Sequence, residues 1–249
     1  MEEQPIAPLP EAPPPPLPPV ERRPFWGYPD VMIFIGLFLA SAMASLFLGT
    51  ALLSRLHLPK GLSELAVQSL IYVLAFWGLA LLFRIHYQRP FWRSLGWERM
   101  CGNPILIAAA GLGTAFVVAL IGGLVRTPNT DNPITQMLDD PRSRVFVVLF
   151  AVTLAPVAEE LIFRGFLQPL LMRTLGTVGG ILAAALPFGL LHFQEYGNEW
   201  RHALLVALAG AAFGWMRHRS GSTKASSLMH ASYNALELFA YFAQKELTH

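Results

Sequence analysis

The sequence predicts an all-α fold, a polytopic transmembrane bundle of about seven helices. Three observations carry that expectation. Hydrophobic residues make up 54% of the chain and charged residues 14%, far from the balance of a soluble protein. The runs Val31–Leu53, Leu65–Phe83 and Pro104–Val125 contain no charge and are long enough to cross the hydrocarbon layer at about 1.5 Å per residue. Ionisable residues then appear inside the later apolar runs, where each costs about 2.5 to 3.5 kcal/mol to insert and so calls for a partner or a function.

The elements follow in order. Residues 1–27, with "EAPPPPLPPVERRP", are too rich in proline for a helix and too poor in apolar side chains for a core, and read as an extended, polyproline-like cytoplasmic tail. Arg22-Arg23 and Ala42-Met43-Ala44 have the look of an export signal and its cleavage site. The apolar run continues past Ala44, however, so the first helix is expected to stay as an anchor. Residues 28–144 then hold three spans and a polar loop, Thr127 to Arg144, which reads as a linker or as the entrance to a site. Residues 145–243 hold the remaining four: Val145 to Met172, Val178 to Phe193, Ala203 to Met216 and Ser226 to Phe242.

Charge and cysteine bound the function. A net charge of +2, with basic residues spread over the helix ends, gives no patch for nucleic acid. Those residues report topology instead. The side that holds the N-terminus carries Arg22, Arg23, Arg84, Arg89, Arg93, Arg99, Arg173, Arg217, Arg219 and Lys224. The other side carries fewer, which by the positive-inside rule places the N-terminus in the cytoplasm, and in a bacterium would put the chain in the inner membrane. The single cysteine, Cys101, excludes an internal disulfide, and neither a Walker loop nor a dinucleotide fingerprint is present.

The chemistry lies in three polar clusters. In "APVAEELIFRG", Glu160 and Arg164 are four apart on one helical face and can pair, whereas Glu159 points about 100° away and needs another partner. In "PFGLLHF", Phe188 and His192 are one turn apart, and in "HASYNALEL" so are His230 and Asn234. Together they imply one polar cavity. A carboxylate and an imidazole flanking a water can remove its proton. A second imidazole and an amide can hydrogen-bond the oxygen that becomes negative when water attacks a carbonyl. No serine or cysteine stands in obvious register with either histidine, which argues against a covalent nucleophile. Glu237, seven residues after His230, shares its face, either to tune that ring or as an interhelical contact. Glu195 and Glu199 read as solvated loop charges, and His86, His202 and His218 as surface groups.

With those residues in view, the sequence resembles the CAAX-protease and bacteriocin-processing (CPBP) family of membrane-embedded proteases, which includes the CAAX prenyl endopeptidases. The family pattern E-E-x-x-x-R, F-x-x-x-H and H-x-x-x-N is met by Glu159, Glu160 and Arg164, by Phe188 and His192, and by His230 and Asn234. The resemblance covers Val145 to Phe242, which it implies is a four-helix catalytic core, and implies an intramembrane endopeptidase acting on a protein or peptide at the bilayer, near the C-terminus of a prenylated protein or within another membrane-associated one. It implies that Glu159 and His192 activate the water, that His230 and Asn234 hold the oxyanion, and that Glu160 and Arg164 support them. Members are often labelled metalloproteases. For zinc, His192, His230 and Glu159 can supply three ligands, but H-E-x-x-H is absent and asparagine is an unusual zinc ligand, so a metal-free glutamate mechanism needs fewer assumptions. Two other classes fit buried Glu and His: a proton-coupled transporter, and a scaffold or immunity-type regulator acting by binding.

Overall fold

The computed structural model describes residues 24–247 apart from 54, 57, 99 and 129–132, so the proline-rich reading of 1–23 lies outside the described residues. The described residues are helical, without a strand. The helices are α1 (Tyr28–Leu53), α2 (Lys60–Ile85), α3 (Phe91–Ser94), α4 (Pro104–Leu124), α5 (Pro133–Asp139), α6 (Pro141–Val152) and α7 (Leu154–Glu160). A π-helical segment, Leu161–Leu167, leads into α8 (Gln168–Leu191), and α9 (Trp200–Ser220) and α10 (Thr223–Leu247) complete the chain.

Four stretches are long and apolar enough to cross a membrane: Tyr28–Gly49, Lys60–Ile85, Pro104–Leu124 and Pro141–Leu191. The protein is an integral membrane protein. Its bilayer face is legible in α8, where Val178, Leu182, Leu186 and Leu190, each four apart on one stripe, are all more than half exposed. In water such a stripe would be a liability, whereas lipid tails are its natural surroundings.

The fourth stretch is not one rod, and sequence chemistry says why. Pro156 has no N–H for the Val152 carbonyl and its ring crowds that turn, so the helix breaks at Thr153 (φ −131°, ψ −80°) and restarts as α7. Further on, Gly176 adopts φ 73°, ψ 176°, a conformation only glycine reaches without strain. There the chain reverses: Phe188 lies with its ring 4.3 Å from the Arg164 guanidinium, whereas 24 residues of straight helix would separate them by about 36 Å. The expected spans Val145 to Met172 and Val178 to Phe193 are therefore the two arms of one hairpin. It closes tightly because Gly180 sits against the backbone of Met172, where a Cβ would collide.

Two packing centres hold the bundle. Trp26, Phe34, Leu79, Phe83, Leu95, Phe166 and Leu170 join α1, α2, the turn after α3 and the first arm of the hairpin. Trp26 stacks on Phe83 and Phe166 and donates its indole N–H to the Phe166 carbonyl at 3.0 Å, satisfying the one polar atom of a buried ring. The second centre, with Ile107, Val118, Phe213, Met229 and Tyr233, joins α4, α9 and α10. Gly111 of α4 abuts the Met229 carbonyl, so α10 lies directly on the α4 backbone. That contact fixes the height of His230, the next residue.

Candidate active site

Glu160 and Arg164 are the most deeply enclosed charges in the protein, with side chains 0% and 1% exposed, and they pair at 2.8 Å. They lie at the junction of α7 and the π-helical segment, an irregularity frequent at functional sites. Arg164 also donates through Nη2 to the Gly210 carbonyl of α9 at 2.8 Å and stacks over Phe188. Glu160 Oε1 takes a second partner, Nδ1 of His230, at 3.2 Å. Facing a guanidinium, Glu160 acts as a carboxylate and can only accept, so Nδ1 carries the proton and the other ring nitrogen turns away. The ring is held by stacking on Phe213 (centroids 4.5 Å apart) and by an edge contact to Phe188.

Glu159 has the opposite environment. Its side chain is 18% exposed, and its Oε2 lies 3.8 Å from Nε2 of His230, too long for a direct hydrogen bond. The two adjacent glutamates thus grip opposite nitrogens of one imidazole, Glu160 from the closed side and Glu159 from an open one. The open side is a cavity of about 500 Å³, lined by Glu159, Phe188, His192, His230 and Asn234 among others.

His192 ends the second arm of the hairpin. Its Nδ1 meets the Phe188 carbonyl at 2.8 Å, one turn back. A carbonyl only accepts, so Nδ1 donates and Nε2 faces the cavity, 4.0 Å from Glu195 Oε2. Asn234 has a structural partner: its Nδ2 donates to the Ala151 carbonyl at 2.8 Å. That carbonyl stands at the end of α6, where the break before Pro156 leaves acceptors without helical donors. One amide hydrogen of Asn234 is thereby engaged and its second remains for the cavity. Asn234→Ala is therefore expected to cost about 1–3 kcal/mol of stability in addition to any effect on activity, because it strands that acceptor; thermal unfolding in detergent measures the loss.

Several lining residues escaped the sequence reading. Glu195 was expected to be a solvated loop charge, but it lines the cavity, because the turn after α8 folds back over His192. Glu199 caps α9, accepting from Arg201 N at 3.3 Å. His202, read as a surface group, stacks on Tyr196 with centroids 4.8 Å apart and bonds the Pro128 carbonyl at 3.0 Å. Glu237, expected on the His230 face, lines the cavity one turn beyond Tyr233. From α2 come Glu64, Gln68 and Tyr72, spaced four apart along an otherwise apolar helix. That polar stripe was the signal that could have found them.

The polar segment before α6 forms part of the wall. Its helix α5 places Pro133, Ile134 and Leu138 on the cavity, and Asp139 ties it to the end of α10 by accepting from the Tyr241 hydroxyl at 2.8 Å and from Lys245. Those bonds, Lys245 first, hold the Asp139 carboxyl below its ordinary value of 3.8. A carboxyl lowered by folding stabilises the closed arrangement above its ordinary value, and the contribution disappears as pH falls through the lowered one. Carboxyl NMR is expected to give an Asp139 midpoint below 3.8 that returns to the ordinary range in Lys245→Ala/Tyr241→Phe.

Comparison with known proteins bears on this same part of the chain. Residues 141–236 match the Rce1-like family. The matching model is described as type II CAAX prenyl endopeptidase Rce1-like, and its span runs from the start of α6 past Asn234, so it takes in all three motifs. No curated protein and no solved structure gave a match. At family level, the Rce1-like match supports a CAAX-type protease acting at the membrane on a peptide.

The donor set also bears on zinc. Among the described residues no three His, Cys, Asp or Glu side chains are grouped as a metal ion requires. His192, His230 and Glu159 are not placed as such a group.

Proposed function

We propose that the protein is an intramembrane endopeptidase in which Glu159 is the general base. One observation carries the reading: of two adjacent glutamates, Glu160 is enclosed, with its Oε1 shared by Arg164 and His230, whereas Glu159 opens on the cavity beside Nε2 of His230. Sequence neighbours in one helix thus have separate tasks, one holding the machinery and one facing substrate.

In this mechanism a water bound between Glu159 and His192 gives its proton to Glu159 as its oxygen attacks the carbonyl carbon of the peptide bond. Negative charge develops on the carbonyl oxygen. His230, donating through Nδ1 to Glu160, presents Nε2–H to that oxygen when the ring is protonated, and the second amide hydrogen of Asn234 supplies another donor. The carbon–nitrogen bond then breaks and the proton held by Glu159 passes to the leaving amine. Substrates near the C-terminus of prenylated proteins fit the family match, and other membrane-associated peptides fit the size and position of the cavity. By the positive-inside rule the N-terminus is cytoplasmic.

The test is a panel of prenylated and unprenylated peptides presented to the protein in lipid bilayers, with products identified by mass. Cleavage that disappears in Glu159→Gln supports the proposal. Absence of any product, with proton-coupled uptake of a solute instead, would overturn it. Metal content measured on the same preparation is expected to be substoichiometric, with activity intact after chelation.

A further inference from the structure

We propose that a second cavity, at the other end of α2 from the catalytic one, binds a phosphate group. This cavity has a volume of about 740 Å³ and lies where the start of the described chain, the α2–α3 turn, the hairpin tip and the end of α9 meet. Arg89, Arg93, Arg164, Arg173, Arg217 and His218 line it, and among the described residues no aspartate or glutamate does. Every arginine of the lining has a partner, but not every partner is charged. Arg164 is neutralised by Glu160, and Arg93 has Glu98 beside it at 3.5 Å, outside the lining. Arg173 donates one N–H to the Pro24 carbonyl at 2.8 Å and Arg217 one to the Thr223 hydroxyl at 3.0 Å, both neutral acceptors. A guanidinium has five N–H groups in a planar fork, so both anchored arginines keep further donors; Arg217 also interacts with the enclosed Glu160 carboxylate, whereas the Pro24 carbonyl cancels none of the Arg173 charge.

Converging guanidinium forks recognise tetrahedral oxyanions in a bidentate way, and a phosphate answers several at once. The surroundings place the cavity at the depth of lipid headgroups. On α3 and the turn after it, Trp92 is 54% exposed and lies 6.0 Å from Trp97, which in turn carries Lys224 over its ring at 5.8 Å. Aromatic and basic residues in this combination mark the membrane–water interface. Pro90, Pro169 and Met172 add an apolar edge to the wall, suited to the glycerol and first methylenes of a lipid. The ligand is therefore a phosphate carried by an anionic lipid headgroup or by a soluble phosphate ester. Glu159, His192, His230 and Asn234 line the other cavity and not this one.

The test uses the full chain and its Arg89→Gln/Arg93→Gln variant, whose exposed side chains lie outside both packing centres, with circular dichroism to verify the fold. In nanodiscs of mixed phosphatidylglycerol and phosphatidylcholine, native mass spectrometry is expected to show preferential retention of phosphatidylglycerol, about tenfold weaker in the variant. If inorganic phosphate does not displace it, the headgroup is the ligand. If inorganic phosphate displaces it and raises the unfolding midpoint in neutral detergent, the soluble phosphate is. The Glu159→Gln chain should bind as the parent does. Equal retention of the two lipids with no effect of phosphate, or binding unchanged in the arginine variant, would overturn the proposal.

Discussion

Glu159→Gln is expected to lower kcat for peptide cleavage by about 10²- to 10⁴-fold, the range associated with loss of a positioned general base, while membrane insertion and the unfolding midpoint stay near those of the parent. The two halves of that expectation have separate grounds. Activity falls because the amide cannot accept a proton from water, and Glu160, the adjacent carboxylate, is enclosed against Arg164 and His230. Stability holds because Glu159 makes no direct hydrogen bond to His230 at 3.8 Å, so glutamine removes a charge without stranding a donor. Steady-state kinetics on the cleaved peptide, beside thermal unfolding of the same preparation, reads both. A loss of activity that merely tracks a lowered midpoint would reduce Glu159 to a structural residue.

What sequence alone revealed of this arrangement depends on the range of the interaction. The Glu160–Arg164 pair was legible because it is local: four residues on a helix bring two side chains together whatever the rest of the chain does. The apolar spans were legible because a bilayer imposes one length on every helix that crosses it. The bond between His230 and Glu160 was not legible, because it spans 70 residues and depends on how α10 settles on Gly111 of α4. Nor was the second role of Asn234. Its partner is a carbonyl freed by a proline in another helix, so neither local pattern shows the pair. Glu195, 44% exposed in its turn, was legible only in part for a related reason. A short polar turn after a span reads as solvated, and only the reversal at Gly176 shows that this turn closes over the site.

The largest effect on stability is expected from separating Glu160 and Arg164. Either Glu160→Ala or Arg164→Ala leaves the other charge enclosed with at most 1% of its side chain exposed, a loss of about 3–5 kcal/mol. In Glu160→Ala the His230 Nδ1–H also loses its acceptor. Replacing both together, as Glu160→Met/Arg164→Leu, removes the stranded charge and puts apolar volume among Phe163, Phe188 and Phe213, the rings that now surround the guanidinium. Buried ion pairs exchanged for apolar residues of similar size are often neutral in stability, so the double variant should recover most of the midpoint lost by each single one. Some deficit remains because the Gly210 carbonyl loses Nη2. Cleavage should not recover. Without Glu160 no acceptor fixes which nitrogen of His230 holds the proton, and an imidazole in the wrong tautomer no longer serves the carbonyl oxygen. Unfolding midpoints and turnover measured across the four proteins, parent, two singles and double, separate the outcomes. A double variant that regained activity with its stability would make the pair packing alone and leave His230 oriented by Phe213 and Phe188. The expected divergence, stability restored and catalysis absent, assigns the pair a positioning role that burial by itself does not supply.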